Sequence, residues 1–102
     1  MPEFVKICAK GELPPPGEAC EMSAAGKMLC VANDGGEISI LDNVCPHREG
    51  PLGQGMIENG KLLCPWHAWA FDLKTGQVEH IPQQKVEMYE VKIEDEDVLV
   101  KI

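Results

Sequence analysis

Four side chains in two short motifs constrain this chain more than anything else in it. Cys45-Pro46-His47 supplies a thiol and an imidazole, and Cys64-Pro65-Trp66-His67 supplies the same pair, with sixteen residues between His47 and Cys64. Thiolate and imidazole are both metal ligands. Each motif opens with Cys-Pro, where the proline ring fixes the backbone angle beside the ligand. A single Cys/His pair would also suit nucleophilic catalysis, but two near-copies point to metal binding.

Two kinds of metal centre use such ligands. Two cysteines and two histidines can hold zinc tetrahedrally in a structural module. Zinc fingers, however, usually pair like ligands, with Cys-x₂₋₄-Cys followed by His-x₃₋₅-His, whereas each loop here has one of each. The pattern resembles that of the Rieske family, which is Cys-x-His, a spacer of about this length, then Cys-x-x-His. The flanks Cys45-Pro46-His47-Arg48-Glu49-Gly50-Pro51-Leu52 and His67-Ala68-Trp69-Ala70-Phe71-Asp72-Leu73-Lys74-Thr75-Gly76 look like the loops of ferredoxin-type Rieske proteins. The resemblance covers nearly the whole chain. It implies a [2Fe–2S] cluster with Cys45 and Cys64 on one iron and His47 and His67 on the other.

Mixed ligation has an electrostatic consequence. Two ferric ions, two bridging sulfides and two thiolates sum to a neutral oxidised site, whereas four thiolates would leave a dianion. An electron enters a neutral site more readily, which is why Rieske potentials lie at roughly -150 to +300 mV, above those of plant-type ferredoxins. Respiratory Rieske proteins, which this chain resembles more distantly, carry an extra cysteine in each ligand loop and a serine and a tyrosine hydroxyl beside the cluster. The matching positions here are Gly50, Trp66, Trp69 and Phe71. The resemblance therefore implies no bridge between the loops, fewer hydrogen bonds to sulfur and a potential in the lower half of that range.

The same resemblance implies a one-electron carrier that accepts from a flavin-containing or ferredoxin-type reductase and donates to a terminal oxygenase. Such a chain catalyses nothing by itself. A second reading is a Rieske-type small subunit of an assimilatory nitrite reductase. The net charge of -8 argues against nucleic acid and anionic lipid as partners and suits a basic docking face on another protein. The segment Met1-Pro2-Glu3-Phe4-Val5-Lys6-Ile7-Cys8 has no long apolar stretch of the signal-peptide kind, and no apolar run is long enough to span a bilayer. A cytoplasmic monomer, without nucleic acid or membrane partners, is the expectation.

With 102 residues there is material for one domain. The chain reads as all-β: an antiparallel Rieske domain with a loop-rich cluster-binding subdomain at 43–72 inserted in a β-scaffold of 1–42 and 73–102. Phe4–Cys8 is an opening strand, and Pro14-Pro15-Pro16-Gly17 a stiff connection. Asn33-Asp34-Gly35-Gly36 and Glu58-Asn59-Gly60 are hairpin turns. Tyr89–Glu94 and Val98–Ile102 alternate apolar and polar residues around the acidic turn Glu94-Asp95-Glu96-Asp97. The six acids and one lysine of Glu87–Asp97 read as a solvated face, and the stretch Asn43–Phe71 carries balanced charge.

The remaining candidates are structural. Residues 43–72 offer few apolar side chains to a core, so metal bonds should order them. Cys8 and Cys30 sit in apolar runs and read as small buried hydrophobes, and Cys20 as a more exposed residue of a looser segment. Trp69 is expected to pack and Trp66 to be exposed. His80 reads as a surface or loop residue, and the segment around Pro82 as a cover lying against the site.

Overall fold

A computed structural model describes residues 3–43, 52–64, 69–79 and 81–102. At its centre lies a hairpin of β3 (Lys27–Asp34) and β4 (Glu37–Asp42), paired antiparallel from Leu29 opposite Asp42 to Asp34 opposite Glu37. Gly35 and Gly36 turn the chain with φ of +63° and +105°. Positive φ at both loop residues matches the right-handed twist of the flanking strands. Successive side chains of a strand point to opposite faces. Leu29 and Val31 therefore enter one core with Ile40, while Cys30 and Ala32 enter a second core with Leu41.

The first core lies inside a six-stranded antiparallel sheet. β1 (Phe4–Ala9), β11 (Asp97–Lys101), β10 (Met88–Glu94), β4, β3 and β2 (Ala19–Ala24) follow one another in that order. The sheet curls until β1 comes back against β2. It encloses Cys8, Ala24, Leu29, Val31, Ile40, Val98 and Val100. Curling also shields the two edge strands, whose unpaired backbone groups would otherwise invite aggregation. Asn33 ties the proline-rich connection to this sheet. Its Nδ2 donates to the Pro14 carbonyl at 2.8 Å, and its own carbonyl accepts from Gly17 N–H at 2.8 Å.

The second sheet is smaller. β5 (Met56–Glu58), β6 (Lys61–Leu63), β7 (Ala70–Asp72), β8 (Gln77–Val78) and β9 (Ile81–Lys85) run antiparallel in chain order. The Asn59-Gly60 turn joins β5 to β6, with φ of +51° and +76°. Leu52, Leu62, Cys64, Phe71, Leu73, Val78 and Val86 pack with Cys30, Ala32 and Leu41 to form the second core. Two cross-links help hold the sheets together: the Ser39 hydroxyl donates to the Leu73 carbonyl at 3.1 Å, and Glu18 bridges Met56.

Two expectations need correction. Residues 43–72 do supply a core: Leu52, Leu62 and Phe71 have no exposed surface and Ala70 very little. Their apolar residues come in short runs of two to four between turns, and only strand pairing brings the buried ones into one core. Cys20 is not in a loose segment but in β2, half-buried against the first core beside Val31 on β3. Small and polar residues dominate Ala19–Ala24, so cross-strand pairing rather than propensity makes it a strand. Cys8 and Cys30 are buried as expected. The acidic side chains of Glu87–Asp97 are exposed, and Lys92–Glu94 (2.7 Å) and Lys6–Asp97 (3.2 Å) pair at the surface. Among the described residues, helical structure is limited to two 3₁₀ turns, Lys10–Glu12 and Leu52–Gln54, and no helix is long and apolar enough to cross a membrane.

Candidate metal centre

Cys64 is the one motif ligand within the described residues. It follows directly on β6 and is 2% exposed, in the core cluster that also holds Leu52, Leu62 and Phe71. Its N–H donates to the Trp69 carbonyl at 2.8 Å, one step beyond the last strand pair, Leu63 opposite Ala70. That bond closes the base of the loop that carries the second motif. Trp69 is half-buried against the second core, and its ring lies 6.5 Å from that of Phe71 at 55°, so it packs as expected. Tilted aromatic pairs at this separation are favourable.

The first motif leaves from the end of β4 and returns at the 3₁₀ turn Leu52–Gln54, and the base of that loop is closed twice. Leu52 N–H donates to the Asn43 carbonyl at 2.8 Å, and Gly53 N–H donates to Asn43 Oδ1 at 2.7 Å. Asn43 Nδ2 in turn donates to Glu21 Oε2 at 2.7 Å, and Gln54 Nε2 donates to Glu21 Oε1 at 3.0 Å. These two amides hold the Glu21 carboxyl below its ordinary range, Gln54 contributing more than Asn43.

The two loop bases adjoin. A Cβ on Gly55 would run into the Leu63 carbonyl oxygen, so the chain leaving the first loop lies directly on the residue before Cys64. Cys45, His47 and His67 lie outside the described residues, as do Trp66, His80 and the Pro82 side chain. Sequence reasoning did not single out Asn43, Glu21 or Gln54. Nothing in their types marks them, and only the fold brings Glu21 to a residue 22 positions away.

The chemistry of Cys64 fits a metal-bound thiolate. A bare thiolate in so apolar a setting would be strongly disfavoured, whereas bonding to metal neutralises it and the surrounding side chains keep water away. Two antiparallel sheets, with the bases of the two motif-bearing loops adjoining at the residue before Cys64, define the class: an all-β antiparallel domain.

The chain belongs to the Rieske [2Fe–2S] domain family, whose model matches residues 3–98. It is 32% identical over 100 residues to the ferredoxin component of biphenyl 2,3-dioxygenase from Rhodococcus jostii RHA1, covering 97% of this chain and 92% of that one. It is also 40% identical over 77 residues to human apoptosis-inducing factor 3. That match takes in 74% of this chain but spans only 13% of the length of the human protein. Among solved structures, the Sphingomonas yanoikuyae B1 ferredoxin superposes with a TM-score of 0.86 at 28% identity, covering 98% of this chain and 99% of that one. The all-β antiparallel architecture is thus that of Rieske ferredoxins, and the cofactor of the family is a [2Fe–2S] cluster.

Proposed function

We propose that this chain is a one-electron carrier that takes electrons from a reductase and passes them to a terminal oxygenase, as a cytoplasmic monomer. Cys45 and Cys64 hold one iron of the cluster, and His47 and His67 hold the other. The cluster supplies reversible one-electron chemistry, and the protein's part is to hold it, shield it and present it. Residues 43–72 form the cluster-binding subdomain, carried by 1–42 and 73–102. The carrying observation is the likeness, over almost the full length of both chains, to a dioxygenase ferredoxin component. The buried Cys64 at the base of one of two adjoining loops supports the ligand set.

The test is chemical analysis followed by mutagenesis. The purified chain should contain about two iron and two acid-labile sulfide, as a [2Fe–2S] centre requires. Dithionite reduction should give an electron paramagnetic resonance signal with average g below the free-electron value, the mark of mixed Cys/His ligation. Cys45→Ser and Cys64→Ser should each abolish assembly. Zinc in place of iron and sulfide, or intact cluster in either serine variant, would overturn the assignment.

A further inference from the structure

We infer that Asn43 and Glu21 form a clasp that positions the first ligand loop and sets how firmly the cluster is retained; this rests on the ligand assignment proposed above. The loop leaves the described strands at Asn43, and Cys45 is two residues further on. Asn43 is 5% exposed, and its polar groups are all engaged. Its N–H donates to the Met28 carbonyl at 3.4 Å, its carbonyl accepts from Leu52, Oδ1 accepts from Gly53, and Nδ2 donates to Glu21. One side chain therefore joins the exit of the loop to its return, and both to β2.

Glu21 is the unexpected partner. It is an exposed residue of an edge strand, where a carboxylate is ordinarily left to water. Here its two oxygens are divided between Asn43, at the exit of the loop, and Gln54, in the 3₁₀ turn at its return. Hydrogen bonds to a charged acceptor are roughly twice as strong as neutral ones. Gly53 is seated so closely beneath the pair that an added Cβ would collide with Glu21 Cγ, approach Asn43 Oδ1 to 2.8 Å and reach the Cys20 carbonyl carbon at 2.9 Å. Loop base and β2 are thus locked as one unit. With its base fixed beforehand, the loop that carries the first motif loses less freedom on binding metal and regains less when a ligand lets go.

The test exchanges donor and acceptor. In Asn43→Asp the oxygen that receives Gly53 N–H survives, but the donor to Glu21 becomes a second carboxylate. Loss of the visible cluster absorbance in excess EDTA should quicken about tenfold, equivalent to about 1.4 kcal/mol. Adding Glu21→Gln restores a donor–acceptor pair in the reverse sense, and the double variant should return to within about threefold of wild type. The g values of the reduced cluster should shift in the single variant and return in the double. Should Asn43→Asp not accumulate as folded protein, Glu21→Ala at the exposed end of the clasp should itself lose cluster severalfold faster. Wild-type rates in Asn43→Asp or Glu21→Ala, or a double variant no better than the single, would overturn the clasp. A lowered melting temperature beside an unchanged loss rate and spectrum would reduce it to a scaffold contact and overturn it equally. Absence of iron and sulfide from the wild-type protein would instead sink the cofactor assignment itself.

Discussion

Cys30 is the most deeply placed titratable side chain described, with no exposed surface in the second core. Burial, ahead of Cys20 and Glu21, pushes its thiol up to about 12 from an ordinary value of 9.0. Cys8 and Cys20 are also raised, burial again being the larger cause. The sign of the consequence follows from which state keeps the proton. Above pH 9 the unfolded chain releases the Cys30 proton while the folded chain retains it, so rising pH draws the equilibrium toward unfolding until about pH 12. Below pH 9 both states are protonated, and the contribution is fully present and constant. Urea unfolding of the metal-free protein should therefore lose up to about 1.4 kcal/mol per pH unit more in wild type than in Cys30→Ala across that alkaline window. Parallel curves for the two proteins would show that Cys30 ionises as freely in the fold as outside it.

The turns decide which strands meet. Gly76, between β7 and β8, has φ of +80°, and a Cβ there would come within 2.5 Å of the Val86 carbonyl and 2.9 Å of Met88 Cγ. Its carbonyl also accepts from Val86 N–H at 2.9 Å. Gly76→Ala is therefore expected to cost about 1–3 kcal/mol, read as a lower urea midpoint. Gly11, with open space around it and no positive φ, is the control: Gly11→Ala should stay within about 0.5 kcal/mol of wild type. Turn chemistry also explains how much of the fold can be read in advance. Gly35-Gly36, Asn59-Gly60 and the acidic Glu94–Asp97 turn announce three hairpins, and the alternation of Tyr89–Glu94 and Val98–Val100 announces the last pair. β2 is hidden because its turn is Ala25-Gly26, with an alanine held at φ of +50°. β7, β8 and β9 are two to five residues long, too short to carry a period, and pairing with neighbours alone makes them strands. The proposed ligands are legible because metal binding demands particular residue types at close spacing. The clasp is not legible, because an asparagine and a glutamate acquire their roles only when β2 is laid beside the loop base.

As a whole, the molecule is two cores sharing one hairpin. β3 and β4 give Leu29, Val31 and Ile40 to the curled six-stranded sheet and Cys30, Ala32 and Leu41 to the smaller sheet. The first core is closed on itself by strands of five to eight residues, and Cys64, the proposed ligand among the described residues, is not one of its side chains. The second core includes Cys64 and Leu52, which stand at the bases of the two ligand loops. Removing the metal should therefore loosen the protein unevenly. Bonds that close the loops lose their anchor, whereas β3 keeps apolar cover on both faces. Local opening is governed by how many buried contacts must be given up, so exchange should quicken where the contacts are fewest. In protein stripped of metal, the amides of Leu52, Gly53 and Cys64 should exchange with deuterium at least about tenfold faster than in the loaded form. The amides of Leu29 to Ala32 should be little changed, with β6 and β7 between the two extremes because Leu62 and Phe71 remain buried together. Hydrogen exchange resolved by residue would decide the matter. Equal acceleration through β3 and β11 would mean that metal and fold form one cooperative unit. No acceleration at the loop bases would mean that the hydrogen bonds of Asn43 and Cys64 hold the loops without the metal's help.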